Sequence, residues 1–248
     1  MKYYAQTIVQ LMKQLYDNGY SKTDLERMTV AYQLAMELFT GLYRPSGKTF
    51  ISHVVGTASI LCELHVRGEL IAAGLLHAAY EQGDFGTWVK GISPDKRDKL
   101  RKTLGGEVEN YIAHYTSLRW TEKTIPEIYK KFRLFSQIER DVLVVRLANE
   151  LEDLSELGVL YCYSAPAKSR HYSRIALPMI DMADEIGFPR LAEELNEAVV
   201  NTLAEKAFEE LKSNYKGVRL LVPSSYTKSV RYRIGQWCSR VLDHMRVL

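Results

Sequence analysis

Leu70-Ile-Ala-Ala-Gly-Leu-Leu-His-Ala-Ala-Tyr80 is the longest apolar stretch of the chain, and it carries one histidine, His77, in its interior. Its spacing is helical but its residues are apolar on every face, which an amphipathic surface helix is not. The segment therefore predicts a central helix over 69–81. Eleven residues fall well short of the roughly 20 needed to cross a bilayer, so no membrane span is expected. A second run, Val142-Leu-Val-Val-Arg-Leu-Ala148, continues into Asn149-Glu-Leu-Glu-Asp153. On that helix Leu147, Leu151 and Leu154 share one face. Asn149 and Asp153 lie on the opposite face, in line with Val142 and Val145. A buried polar group without a partner costs about 1–3 kcal/mol, so an internal polar cluster is expected around this pair.

Outward from these two segments, helical spacing dominates and alternating strand patterns are nearly absent. Helices are expected near 2–17, 24–40, 53–66, 94–104, 106–118, 126–136, 138–157, 168–186 and 189–214, with Ser21 and Thr23 as candidate caps. The reading is an all-α, single-domain bundle of about ten helices. An N-terminal helix fills 1–24, the main body 25–205, and a basic tail or helix 206–248. With 248 residues, 46% hydrophobic and 25% charged, the chain can bury a sizeable core, and disorder is excluded for most of it.

Residues 212–248 hold eight Lys or Arg against one acid, Asp243, whereas the first 211 hold 25 basic and 29 acidic residues. A mildly acidic body thus carries a basic tail, which either packs through Tyr226, Tyr232, Ile234, Trp237 and Val241 or contacts an acidic partner. Cys62, Cys162 and Cys238 have no metal or redox spacing and read as reduced, packed thiols. No apolar run follows a basic head at the start, so a cytoplasmic location is expected.

Several motifs together resemble a known family. Tyr43-Arg-Pro-Ser-Gly-Lys-Thr-Phe-Ile-Ser-His53, Leu70 to Gln82 and Val145 to Asp153 occur in the order and spacing of HD-domain metal phosphohydrolases. Within them the chain resembles the guanosine tetraphosphate (ppGpp) hydrolase domain of the RelA/SpoT family. Leu104-Gly-Gly-Glu-Val108 and Ser173 to Gly187 are similar to further family segments, so the resemblance covers about residues 30–200. It implies an HD-type helical bundle and a divalent ion held by two His and two Asp.

Here the two His are present as His53 and His77, but Ala78 and Asn149 stand where the family has Asp, and Glu81-Gln82 replaces Glu-Asp. Asp153 lies one helical turn, about 5.4 Å, beyond the position of the missing ligand. Hard ions prefer carboxylate oxygens, so no cofactor is expected. If a metal such as Mn²⁺ binds, His53, His77 and Asp153 are its expected ligands. The candidate acid/base residues are His53, His77, Glu81 and Asp153. The candidate ligand-binding residues are Arg44, Ser46, Lys48 and Asn149, with the loop suited to an anionic small molecule. Lys130, Lys131 and Arg133 read as an outer charged face, and His65, His114, His171 and His244 as structural.

Three functions follow. The first is a degenerate HD fold whose preserved pocket binds a nucleotide or other phosphorylated molecule without hydrolysing it. The second is a metal-independent acid/base enzyme, and the third a metal phosphohydrolase with relocated ligands. Whether the chain is an enzyme, and whether it self-associates, stays open at this point.

Overall fold

Local sequence starts the first helices. Thr7 and Ser21 each accept a bond from the backbone N–H three residues on, while Gln10 and Asp24 return one, so capping boxes begin α1 (Ile8–Asp17) and α2 (Lys22–Phe39). Of the two candidate caps, Ser21 is the cap and Thr23 lies inside α2. In this computed structural model residues 4–222 are described, apart from 88, 156, 213 and 215.

The centre is built from α3 (Phe50–Glu63), α4 (Gly68–Leu76) and, after α5 (Ala79–Gln82), α6 (Pro94–Leu104), α7 (Gly106–Ser117) and α8 (Ile125–Lys131), from α9 (Gln137–Ser155). All of α4 but Glu69 is buried. Gly74 lets α3 and α4 approach closely, since a Cβ there would lie 2.3 Å from Leu61 Cδ1. The rest is α10 (Gly158–Tyr161) and the pair α11 (Ala165–Glu185) and α12 (Pro189–Ala204), which pack on each other and on α9. Among the described residues the fold is all-α apart from one short strand pairing and an isolated bridge between Tyr43 and Thr49. Strand β1 (Leu42–Tyr43) runs antiparallel to β2 (Arg219–Leu220), with Leu42 opposite Leu220 and Tyr43 opposite Arg219.

The helix expected over 69–81 is interrupted. It stops at Leu76, and Ala78, at φ −91° and ψ 8°, turns the chain before α5. The physical reason is His77, whose Nδ1 donates to the Gly74 carbonyl at 2.7 Å and competes with the backbone ladder at that turn. Other ends shift as well. The first helix starts at Ile8, the 126–136 segment becomes α8 plus a 3₁₀ turn Phe132–Leu134, and the last helix ends at Ala204 before a 3₁₀ turn Glu209–Leu211. No helix of the described residues is long and apolar enough to cross a membrane. The basic tail beyond Val222, with Cys238 and His244, lies outside the described residues. Cys62 and Cys162 are buried free thiols, and burial pushes the Cys62 thiol up to about 11.

One buried ionic knot ties the α5–α7 corner. Glu109 on α7 is fully buried and accepts from Tyr80 Oη at 2.6 Å, Arg97 Nε at 2.7 Å, Arg97 Nη2 at 3.0 Å and Arg101 Nε at 2.8 Å. Every lone-pair direction of the carboxylate is thereby used.

Candidate functional site

His53 lies in the first turn of α3, which Thr49 caps by accepting from the Ser52 N–H. His77 lies at the end of α4. The packing of α3 on α4 brings the two rings edge to face, with centroids 5.3 Å apart. Phe50 and Tyr115 extend this row on either side, at 5.5 Å from His53 and 4.9 Å from His77. Both histidines are buried.

The loop after β1 folds its basic residues inward over this pair. Arg44 Nη1 lies 2.7 Å from His53 Nε2, and Arg44 Nη2 pairs with Asp153 Oδ1. Lys48 pairs with Glu152, whose other oxygen meets His53 Nδ1. The bonding fixes the tautomer: Nδ1–H donates to Glu152, and the Nε2 lone pair accepts from the guanidinium. Space for Glu152 comes from Gly56 on α3, where a Cβ would stand 2.9 Å from Glu152 Cγ and Oε1.

Burial would raise the pKa values of Glu152 and Asp153, but the hydrogen-bond donors and cations around them win. For Glu152 the neighbours are His53 and Lys48; for Asp153 they are Arg44, Lys168 and His53. Both carboxyls are held below the ordinary range. Glu150 goes the other way, raised by burial and by Asp153, while Tyr172 Oη donates to it at 2.8 Å. The His77 pKa is driven well below its usual value, first by burial and then by His53, so this imidazole is neutral.

Beside this core, Arg44, Pro45, Ser46, Lys48, Glu152, Asp153, Gly158 and Lys168 line a cleft. It encloses about 310 Å³ including its open mouth. Its floor is narrow, with room for about one water, so a larger ligand would sit at the mouth. Among the described residues no carboxylate lies within 4 Å of Lys168 Nζ, which leaves Lys168 as a cation facing the cleft without an ion pair.

Of the residues singled out from sequence, His53, His77, Arg44, Lys48 and Asp153 meet here, and Ser46 lines the cleft. Asn149 is buried on α9, one turn before Asp153. Glu81 stands apart. It is exposed on α5 and makes no hydrogen bond or ion pair among the described residues. The backbone carbonyl of Gly74, rather than Glu81, orients the His77 ring. Glu152, Lys168 and Tyr115 escaped the sequence reading. Lys130 and Arg133 pair with Glu127 and Glu185 on the exposed surface.

The ligand set implied by the resemblance does not fit a divalent ion as these side chains stand. Ala78 offers no donor, His53 has both ring nitrogens engaged, and His77 Nδ1 is held by Gly74. The group that could converge on an ion is a different one, His53, Glu152 and Asp153, whose donor atoms lie within 4.8 Å of one another.

A family described as a domain of unknown function (DUF6817) matches residues 37–119. A GTP pyrophosphokinase of Streptomyces antibioticus is 26% identical over 190 residues, 75% of this chain and 21% of that protein. A guanosine-3′,5′-bis(diphosphate) 3′-pyrophosphohydrolase of Haemophilus influenzae is 24% identical over 185 residues, covering 72% and 25%. The bifunctional (p)ppGpp synthase/hydrolase SpoT of Escherichia coli is 24% identical over 211 residues, covering 84% and 28%. The match thus spans 21% to 28% of the length of these relatives. Among solved structures, a metazoan ortholog of SpoT that hydrolyses ppGpp matches with a TM-score of 0.48 and 16% identity, over 73% of this chain and 96% of that one. The homologues of this chain are members of the RelA/SpoT family of (p)ppGpp hydrolases and synthetases, which are HD-domain proteins.

Proposed function

We propose that this protein binds a phosphorylated, anionic small molecule of the nucleotide class at the mouth of the Arg44–Lys168 cleft, and that it does so without metal-dependent hydrolysis. The observation that carries the reading is Lys168. It lines the cleft together with Arg44, Ser46 and Lys48, and among the described residues no carboxylate lies within 4 Å of it, although its charge reaches Asp153 and Glu150. A cationic rim beside a low-dielectric wall concentrates anions, and the (p)ppGpp chemistry named for the relatives supplies the substrate class to try first.

Arg44 and Lys48 are committed to buried carboxylates, so replacing them tests the fold as much as binding. Lys168→Gln is the cleaner probe. Titration calorimetry with ppGpp in a chelator is expected to show binding that Lys168→Gln weakens about tenfold, with a shallower salt dependence. Addition of Mn²⁺ is expected to release no pyrophosphate. Absence of binding at millimolar ppGpp, or Mn²⁺-dependent turnover, would overturn the reading.

One observation favours a second reading, metal-independent acid/base chemistry. His77 is neutral and donates through Nδ1, which leaves its Nε2 lone pair as a proton acceptor beside the His53–Glu152 pair. Turnover of any substrate that survives chelation and is lost in His77→Gln would place this reading first.

A further inference from the structure

The guanidinium of Arg44 lies beside the point where a divalent ion would have to go, tying up Asp153 Oδ1 and the Nε2 side of the His53 ring while Nδ1 faces Glu152. Three donor groups, an imidazole and two carboxylates, converge to within 4.8 Å of one another on His53, Glu152 and Asp153. His53 Nδ1 and Asp153 Oδ1 are 3.7 Å apart. Such a set of one nitrogen and two oxygens suits Mn²⁺ or Zn²⁺. The positive charge is supplied from within the chain instead. Arg44 bonds His53 through one nitrogen of its fork, at 2.7 Å, and Asp153 through the other. Lys48 takes the third member, Glu152. Two carboxylates face two fixed cations, so the cluster's charge is balanced before any ion arrives.

We infer that Arg44 is the resident cation of this site, that it excludes divalent metal, and that its removal uncovers a metal site formed by His53, Glu152 and Asp153. A guanidinium reproduces part of what an ion does: it joins an imidazole to a carboxylate and presents donors to phosphate oxygens. It has no vacant orbital with which to lower the pKa of a water. The site therefore holds a positive charge beside the point where a metal would sit and lacks the metal's means of activating a nucleophile. Metal entry would release to solvent the proton that His53 Nδ1 now donates to Glu152. The inference concerns the cation alone and is independent of whether a phosphorylated ligand binds at Lys168.

The test uses Mn²⁺ alone, with no nucleotide present, followed by electron paramagnetic resonance and by melting temperature. The unaltered protein is expected to show no Mn²⁺ site that Glu152→Gln removes. Arg44→Gln is expected to gain one Mn²⁺ per chain, bound at least about a hundredfold more tightly than by the unaltered protein. That gain follows because a unit positive charge roughly 4 Å from a divalent ion is taken away. The gain should disappear in Arg44→Gln with Glu152→Gln, and Mn²⁺ should raise the melting temperature of Arg44→Gln. Tight Mn²⁺ in the unaltered protein that Glu152→Gln abolishes would overturn the inference. So would a folded Arg44→Gln protein with no gain, and so would an Arg44→Gln protein that stays unfolded in millimolar Mn²⁺, because the ion would then be unable to replace the guanidinium.

Discussion

Two buried carboxylate clusters in this molecule use the same residue types to different ends. At Glu109, two arginines and a tyrosine saturate one carboxylate, and the arginines come from regular helix α6 and lean out to water, with side chains 33% and 47% exposed. Nothing in that knot is left to bind anything else. At Glu152 and Asp153 the cations come from a loop, their side chains are 12% and 17% exposed, and a further lysine faces the same cleft with no carboxylate within 4 Å of it among the described residues. The first is a stay between helices. The second has the features of a site: convergent donors, an opening, and charge that is paired on one side only.

The largest effect expected from this contrast is at the stay. Arg97→Gln with Arg101→Gln leaves Glu109 buried and unpaired, which costs about 3–5 kcal/mol and should lower the melting temperature by roughly 10 °C in a chain of this size. A drop no larger than that of a surface mutant would mean that water reaches Glu109.

Next comes acid sensitivity at the site. His77 is buried neutral with its folded pKa below the unfolded value of about 6.5. The unfolded chain therefore binds the extra proton, so this contribution to stability is present above pH 6.5 and is lost as pH falls below it, by up to about 1.4 kcal/mol per pH unit. Denaturant titrations between pH 7.5 and 5 should show this slope, and His77→Gln should flatten it. The depressed carboxyls at Glu152 and Asp153 act lower, losing their contribution as pH falls beneath about 4.

Gly56→Ala sharpens the comparison further, because its new methyl would meet Glu152 and touches nothing at Glu109. A cost of about 1–3 kcal/mol is expected from overpacking. A neutral outcome in urea unfolding would show that Glu152 can leave His53 freely. The smallest effect belongs to Arg133→Ala. Its pair with Glu185 is exposed and screened by water, so the urea unfolding midpoint is expected to stay close to that of the unaltered protein, which sets the scale against which the buried clusters are judged.

Much of the architecture is legible in the sequence. The all-round apolar runs at 70–80 and 142–148 become the buried α4 and α9, and His53 and His77 meet although 24 residues separate them. The break at His77–Ala78 is hidden because neither residue is a helix breaker. It arises from a side-chain bond back to Gly74. Glu152 is hidden for another reason. Helical-face counting assumes one buried face, but α9 buries Asn149, Glu150, Leu151 and Glu152 in succession. The signal that existed was Gly56, one turn after His53, yet its meaning depends on knowing that α3 faces α9. Lys168 is assigned only once α11 is seen to begin at Ala165 beside the cleft.

The small strand pair also bears on protein engineering. Arg219 and Leu220 lie against Leu42 and Tyr43, directly before Arg44, and the Arg219 guanidinium sits 5.8 Å from the centre of the Tyr43 ring. The loop that carries Arg44 is therefore clamped by chain that follows it by some 175 positions. A truncation that removes Arg219 and Leu220 would release that clamp, whereas a fusion partner joined ahead of α1 would leave it undisturbed.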